Sequence, residues 1–130
     1  MAEHHINLTP TEWNLMECLW EKAPCTGREA VECLKKNMCW TRSTTLTLLR
    51  RMSVKGIVQT DDTGDMRTYT PLIQREDALK RETNDFLNRV YKGSVSMMMS
   101  AITQKLELPQ EEIDKLYTIL KQAEEANSND

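Results

Sequence analysis

The run Thr41-Arg-Ser-Thr-Thr-Leu-Thr-Leu-Leu-Arg-Arg-Met-Ser-Val-Lys55-Gly56 separates into two faces when wound at about 100° per residue. Thr45, Leu48, Leu49 and Met52 fall at i, i+3, i+4 and i+7, the spacing of a buried stripe. Ser43, Thr47 and Arg50 project from the opposite side, with Thr44, Leu46 and Arg51 on its flanks. Lys55 puts a cation in the last turn, where it meets the negative end of the helix dipole, and Gly56 supplies the left-handed residue that closes the helix. Two strand-like pieces follow, Ile57 to Thr60 and Met66 to Thr70, joined by Asp61-Asp-Thr-Gly-Asp65. Guanidinium groups match guanine edges and phosphates, hydroxyls match base edges, and leucine or threonine methyls meet the thymine methyl. A helix carrying that set, followed by a β-hairpin, reads as a winged helix-turn-helix.

Upstream, Thr9-Pro-Thr-Glu12 is a capping box with proline at the first helical position. It predicts a helix to about Glu21 that buries Trp13, Met16, Leu19 and Trp20, with Ala23-Pro24 as its breaker. Thr26-Gly-Arg-Glu29 is a second capping box, opening a helix to roughly Lys36 that buries Ala30, Val31 and Leu34. Cys25-Thr26 is placed to add a very short third strand beside the hairpin. Residues 1–72 therefore form the expected winged-helix unit.

Beyond Pro71 the strand pattern stops and three amphipathic helices are predicted. Glu76 to Tyr91 carries Leu79, Thr83, Phe86, Leu87 and Val90 on one side. Ser94 to Leu106 carries Val95, Met98, Met99, Ile102 and Leu106, and a helix begun by Pro109 carries Ile113, Leu116, Tyr117, Leu120 and Ala123. A segment this short has trouble burying three such stripes by itself. A second copy of the chain solves the problem, so residues 73–124 are expected to form a homodimer through Leu79, Phe86, Leu87, Val90, Met98, Met99, Ile102, Ile113, Leu116 and Leu120. Packing against the first unit is the alternative. The last six residues, 125–130, read as a disordered tail.

The 130 residues are 39% hydrophobic with a net charge of −3, which argues against a general nucleic-acid coat. Charge is distributed unevenly, however. Residues 26–57 hold seven cations (Arg28, Lys35, Lys36, Arg42, Arg50, Arg51, Lys55) against Glu29 and Glu32, a surplus of five. That surplus marks either a confined phosphate-facing surface or solvated helix exteriors. No apolar run is long enough to span a membrane. The opening Met-Ala-Glu-His-His lacks the basic and apolar regions of a signal peptide, so a cytoplasmic protein is expected.

Enzyme signatures are missing: there is no nucleophile elbow, no phosphate-binding loop, no zinc-protease motif, and no mid-chain histidine. Asp61, Asp62 and Asp65 lack the spacing of a calcium loop. Met97-Met98-Met99 points three ways around a helix and reads as core filling. Cys18, Cys25, Cys33 and Cys39 contain no C-x-x-C pair, and the histidines are His4 and His5 at the terminus. Reduced, partly buried thiols are expected, with no metal and no cofactor.

The residues also carry a family resemblance. Thr11-Glu-Trp13-x-x-Met-x-x-Leu-Trp20 opens it, and Trp40-Thr-x-Ser-Thr44-x-x-Thr47-Leu-Leu-x-Arg51-Met continues it. Lys55-Gly-Ile-Val, Tyr69, Phe86-Leu-x-x-Val-Tyr-x-Gly93 and Glu112-Ile-x-x-Leu-x-x-Ile-Leu120 complete the order. Over nearly its full length the chain resembles the penicillinase and methicillin-resistance repressors of the BlaI/MecI type. The resemblance implies an N-terminal winged helix, a C-terminal helical dimer and binding to a palindromic operator. It also implies release when a membrane-bound sensor metallopeptidase leads, indirectly, to repressor cleavage. Well-known members are cleaved between Asn and Phe in the fifth helix, where this chain reads Ser100-Ala101. Copper-responsive relatives end in a cysteine-pair tail that is not found here. Leu46 stands where relatives of known operator carry a charged residue, so their operator sequence does not transfer.

The expectation is therefore a mainly α, homodimeric transcriptional repressor of an antibiotic-resistance or related operon. Thr44, Leu46, Thr47 and Arg50, with Ser43 beside them, face base edges, while Arg42, Arg51, Lys55 and Arg67 meet phosphates of double-stranded operator DNA. The rivals are a winged-helix module that binds protein, and a thiol- or metal-responsive regulator.

Overall fold

The computed structural model describes residues 7–128, so His4 and His5 lie outside the described residues. Nine elements follow one another: α1 (Pro10–Glu21), β1 (Cys25–Thr26), α2 (Gly27–Met38), α3 (Arg42–Lys55), β2 (Val58–Asp61), β3 (Thr68–Pro71), α4 (Arg75–Tyr91), α5 (Val95–Lys105) and α6 (Gln110–Ser128). The chain divides into two compact units, residues 1–83 and 84–130.

In the first unit, both capping boxes form. The Thr9 and Thr26 hydroxyls accept the Glu12 and Glu29 N–H groups, and those glutamates accept the cap N–H groups in return. Each box satisfies two amides that the first helical turn otherwise leaves without partners. Packed between the helices are Leu15, Met16, Leu19, Ala30, Leu34, Leu48, Leu49, Met52, Ile57 and Val58. The stripe expected on α3 is buried residue for residue: Thr45, Leu48, Leu49 and Met52. On the other two helices the expectation needs correction. Leu15 is fully buried, while Trp13, Trp20 and Val31 are half-buried. An indole needs a partner for its N–H and favours the rim. Trp20 donates to the Ile73 carbonyl at 2.8 Å and meets Trp13 edge-on at 5.3 Å.

The antiparallel sheet has the order β1-β3-β2, with Cys25 opposite Tyr69 and Thr60 opposite Tyr69 from the other side. Pro71, which has no N–H to donate, ends β3 beyond the reach of the two-residue β1. β2 and β3 each sit a residue or two later than the periodicity places them. Asp61 ends β2 by folding back to accept the Thr63 N–H and hydroxyl.

The first unit does not stop at Leu72 but runs into α4. Ala78 is buried, and Arg75 grips Glu17 of α1 through two bonds of 2.8 and 3.0 Å. In the second unit, Lys92 and Gly93 both take positive φ (53° and 84°) to leave α4, and Ser94 caps α5. Neither α5 nor α6 has a buried residue. The expected tail is also corrected, because α6 continues through Ser128 and residues 125–128 are helical.

A further correction concerns the thiols. Cys18 and Cys33 form a disulfide, while Cys25 and Cys39 are free. Packing of α1 on α2 brings the two Cα atoms to 6.3 Å, within bridging range, although they stand 15 positions apart in sequence.

Gly56 closes α3 at φ 85°, and a Cβ added there meets nothing within 4 Å. Gly56→Ala should therefore lose about 1–2 kcal/mol by backbone strain alone. Urea unfolding should show an earlier midpoint with an unchanged slope, whereas an unchanged midpoint contradicts this origin.

Candidate nucleic-acid interface

α3 begins under a threonine cap: Thr41 accepts the Thr44 N–H at 3.2 Å, and the two hydroxyls lie 2.9 Å apart. Its 14 residues include Arg42, Arg50, Arg51 and Lys55 and no acid. With the Thr45–Met52 stripe committed to the core, Arg42, Ser43, Thr44, Thr47, Arg50 and Arg51 are left exposed. The three arginines form no ion pair with another described residue, so their charge faces outward unneutralised.

Two grooves flank this exposed face. One, of about 290 Å³, is lined by Thr11 of α1 together with Ser43, Thr44, Thr47, Leu48 and Arg51. The other, of about 440 Å³, lies between α3 and the hairpin and is lined by Leu46, Arg50, Ser53, Val54, Thr60, Arg67 and Tyr69. Short hydroxyl side chains along the middle with arginines to either side leave room for a duplex edge to approach the helix closely.

Leu46 is only half exposed, not free on the surface as its position suggests. It packs against the core beside Tyr69, and its Cδ2 lies 3.4 Å from where a Cβ on Gly27 would stand. Gly27 thus lets α2 start close under Leu46, which fixes the leucine's direction as well as its exposure.

Two of the expected phosphate contacts already have partners. Arg67 holds Asp62 through bonds of 2.6 and 3.2 Å, both side chains more than half exposed. Such pairs are worth about 0–1 kcal/mol, so a phosphate competes readily for the guanidinium. Lys55 differs, because its Nζ lies 2.8 Å from Oε2 of Glu12, whose side chain is 4% exposed. The other Glu12 oxygen accepts the Thr9 N–H at 2.9 Å. Burial pushes the Glu12 carboxyl up, but the Lys55 and Thr9 hydrogen bonds outweigh it and hold the group below its ordinary value. Lys55 therefore ties the end of α3 to the start of α1. Sequence reasoning missed Thr11, Glu12 and Tyr69 here. The capping box identifies Glu12 as a cap, but its pairing with Lys55, 43 residues away, leaves no local signal.

The penicillinase repressor family model matches residues 8–122. The chain belongs to the penicillinase repressor family. It is 30% identical over 115 residues to the penicillinase repressor of Bacillus licheniformis, covering 88% of this chain and 90% of that one. It is 26% identical over 120 residues to the methicillin resistance regulatory protein MecI of Staphylococcus aureus, covering 92% and 98%. Two solution structures of BlaI share the winged-helix fold. One is its DNA-binding domain (TM-score 0.51) and the other the monomeric B. licheniformis form in complex with the blaP half-operator (TM-score 0.52). Each is 25% identical and covers 58% of this chain and 93% of the other. Penicillinase repressors are non-enzymatic regulators of transcription, in line with the missing enzyme signatures. Among the described residues, no group of three His, Cys, Asp or Glu side chains is arranged to hold a metal ion, and no helix is long and apolar enough to cross a membrane.

Removing Lys55 leaves the Glu12 carboxylate buried without its cation. Lys55→Met should lose about 1–3 kcal/mol at neutral pH. Because the folded carboxyl titrates below its unfolded value, the wild-type pair stabilises above the ordinary carboxylate range and loses that contribution as pH falls through the folded value. The variant's stability should therefore fall less steeply between pH 7 and pH 4 (urea midpoints). Parallel curves for the two proteins would show that the pair contributes nothing.

Proposed function

We propose that the chain is a cytoplasmic, homodimeric repressor that lays α3 of each subunit in the major groove of a palindromic operator. The observation that carries this is the outward face of α3, with no acid, hydroxyls between two grooves, and three arginines that pair with no acid among the described residues. Thr44, Leu46, Thr47 and Arg50 face base edges, with Ser43 beside them. Arg42 and Arg51 meet phosphates, and Arg67 does so by exchanging Asp62 for one. Lys55 positions the helix through Glu12 and lends its remaining exposure to the backbone. The half-operator complex of the BlaI relative supports duplex DNA as the partner.

Unspent apolar surface supports the dimer. Leu79, Phe86, Val90 and Leu120 are 40–63% exposed, while Leu87, Met98, Met99, Ile102, Ile113 and Leu116 are only half-buried. A groove of about 770 Å³ between α5 and α6 is lined by Met99, Leu106, Ile113, Leu116, Tyr117 and Leu120, among others. A partner copy filling it removes from water what one chain leaves open. The controlled genes are those of an antibiotic-resistance or related operon, and release comes from cleavage downstream of a sensor metallopeptidase or from another signal. Ser100 and Ala101 sit within α5, so a protease must unwind that helix to reach their peptide bond.

Specific affinity should lie in the range of roughly 10⁻⁸–10⁻¹¹ M at physiological salt. Arg51→Ala should weaken binding to all sequences and reduce the log–log salt slope by about 1. Leu46→Ala should change the sites selected from random duplexes. A protein that sediments as a single chain, or that ignores its own promoter region at low salt, would sink the proposal.

A further inference from the structure

Two of the four cysteines are bonded, and their position bears on α3. Cys18 of α1 is 6% exposed, and Cys33 of α2 is half-buried with the Asn37 amide nitrogen 3.4 Å from its sulfur. The other two differ from this pair and from each other. Cys25 is 2% exposed, and burial pushes its thiol up to about 11, so it stays protonated and unreactive. Cys39 is exposed and unbonded.

α1 and α2 both support α3. α1 reaches its end through Glu12 and Lys55, and lines one of its grooves with Thr11. α2 packs on α3 and leads into it through Cys39 and Trp40, whose N–H bonds the Leu34 carbonyl at 3.3 Å. The Cys18–Cys33 bond therefore crosslinks the frame that aims the arginine face. Cytoplasmic thiols are kept reduced, and a disulfide formed among them is characteristically transient and redox-sensing.

We propose that Cys18 and Cys33 form a thiol–disulfide switch in which the oxidised chain binds operator DNA more tightly than the reduced one. This rests on the DNA-binding function proposed above. The oxidant is a low-molecular-weight disulfide, RSSR. Cys33, the more accessible sulfur, gives up its proton and attacks RSSR, forming a mixed disulfide and expelling RS⁻, which takes up the proton. The Cys18 thiolate then attacks the Cys33 sulfur and expels the second RS⁻, which is protonated in turn. Two protein thiols lose two electrons and RSSR becomes two RSH; excess thiol reverses both steps.

The test uses the full chain equilibrated in glutathione/glutathione disulfide mixtures, acid-quenched and alkylated, with free thiols counted by mass. Titrations run with and without duplex DNA from the chain's own promoter region, and affinity for that duplex is measured in each redox form. In wild type the Cys18 and Cys33 thiols should disappear together with no glutathione mass gained on either, apart from the adduct on the exposed Cys39. In Cys18→Ser, Cys33 should stop at the glutathione adduct, and Cys39→Ser should retain the paired loss. Reduction should lower the Tm by roughly 10 °C, the scale expected for opening a loop with a sequence separation of 15. The oxidised chain should bind about fivefold or more tightly, and the duplex should shift the thiol midpoint by the same factor, as linkage requires. Four free thiols throughout the oxidising range would overturn the switch alone. A disulfide that forms with equal affinity in both states would make it purely structural and overturn the switch too. Failure of both forms to bind the duplex, with the disulfide formed, would overturn the DNA-binding function and the switch with it.

Discussion

One buried carboxylate holds the start of the first helix and the end of the third. Glu12 gives one oxygen to its own cap at Thr9 and the other to Lys55. A charge in that position is costly unless both oxygens are occupied, so the geometry admits little slack. The angle at which α3 presents its arginines depends on this contact and on the leucine and methionine packing beneath it. Around that frame the remaining parts are arranged: Gly27 admits Leu46, Gly56 turns the chain into the hairpin, and Arg75 and Trp20 carry α1 into the start of α4.

How much of this the sequence discloses depends on the range of the interaction involved. Caps, breakers and stripes are local, and both capping boxes, the α3 stripe, the short β1 strand and the membership of the penicillinase repressor family are readable from the residues alone. Pairings between distant residues are not. Glu12 with Lys55 and Cys18 with Cys33 depend on which faces of two helices meet, and periodicity does not specify that. Leu46 shows the same limit within one residue: its place on the helix suggests a surface position, and only the closeness of Gly27 and Tyr69 shows it to be half covered. The polar tail departs from expectation for a different reason. Its composition predicts an end after Glu124, but Ala123, Glu124, Glu125 and Ala126 are good helix formers and carry α6 on to Ser128.

The two units solve opposite problems. The first closes a core of leucine, isoleucine, valine and methionine side chains and leaves the arginines of α3 outward. The second leaves rows of leucine, isoleucine, methionine and aromatic side chains exposed or half-covered, with Phe86 meeting Tyr91 edge-on and Arg89 over its ring. Exposed rows of this length are uncommon on a solitary chain, and they are the surface on which the proposed dimer rests.

The hairpin cation has a consequence of its own. Arg67 brings its counterion with it in Asp62, covalently part of the same loop. A wing that approaches a duplex as a neutral couple adds little to the non-specific, ion-displacing attraction that draws basic proteins to any polyanion. In the proposed complex it engages where a phosphate supplants the carboxylate, which makes the wing a gauge of backbone position more than a source of grip.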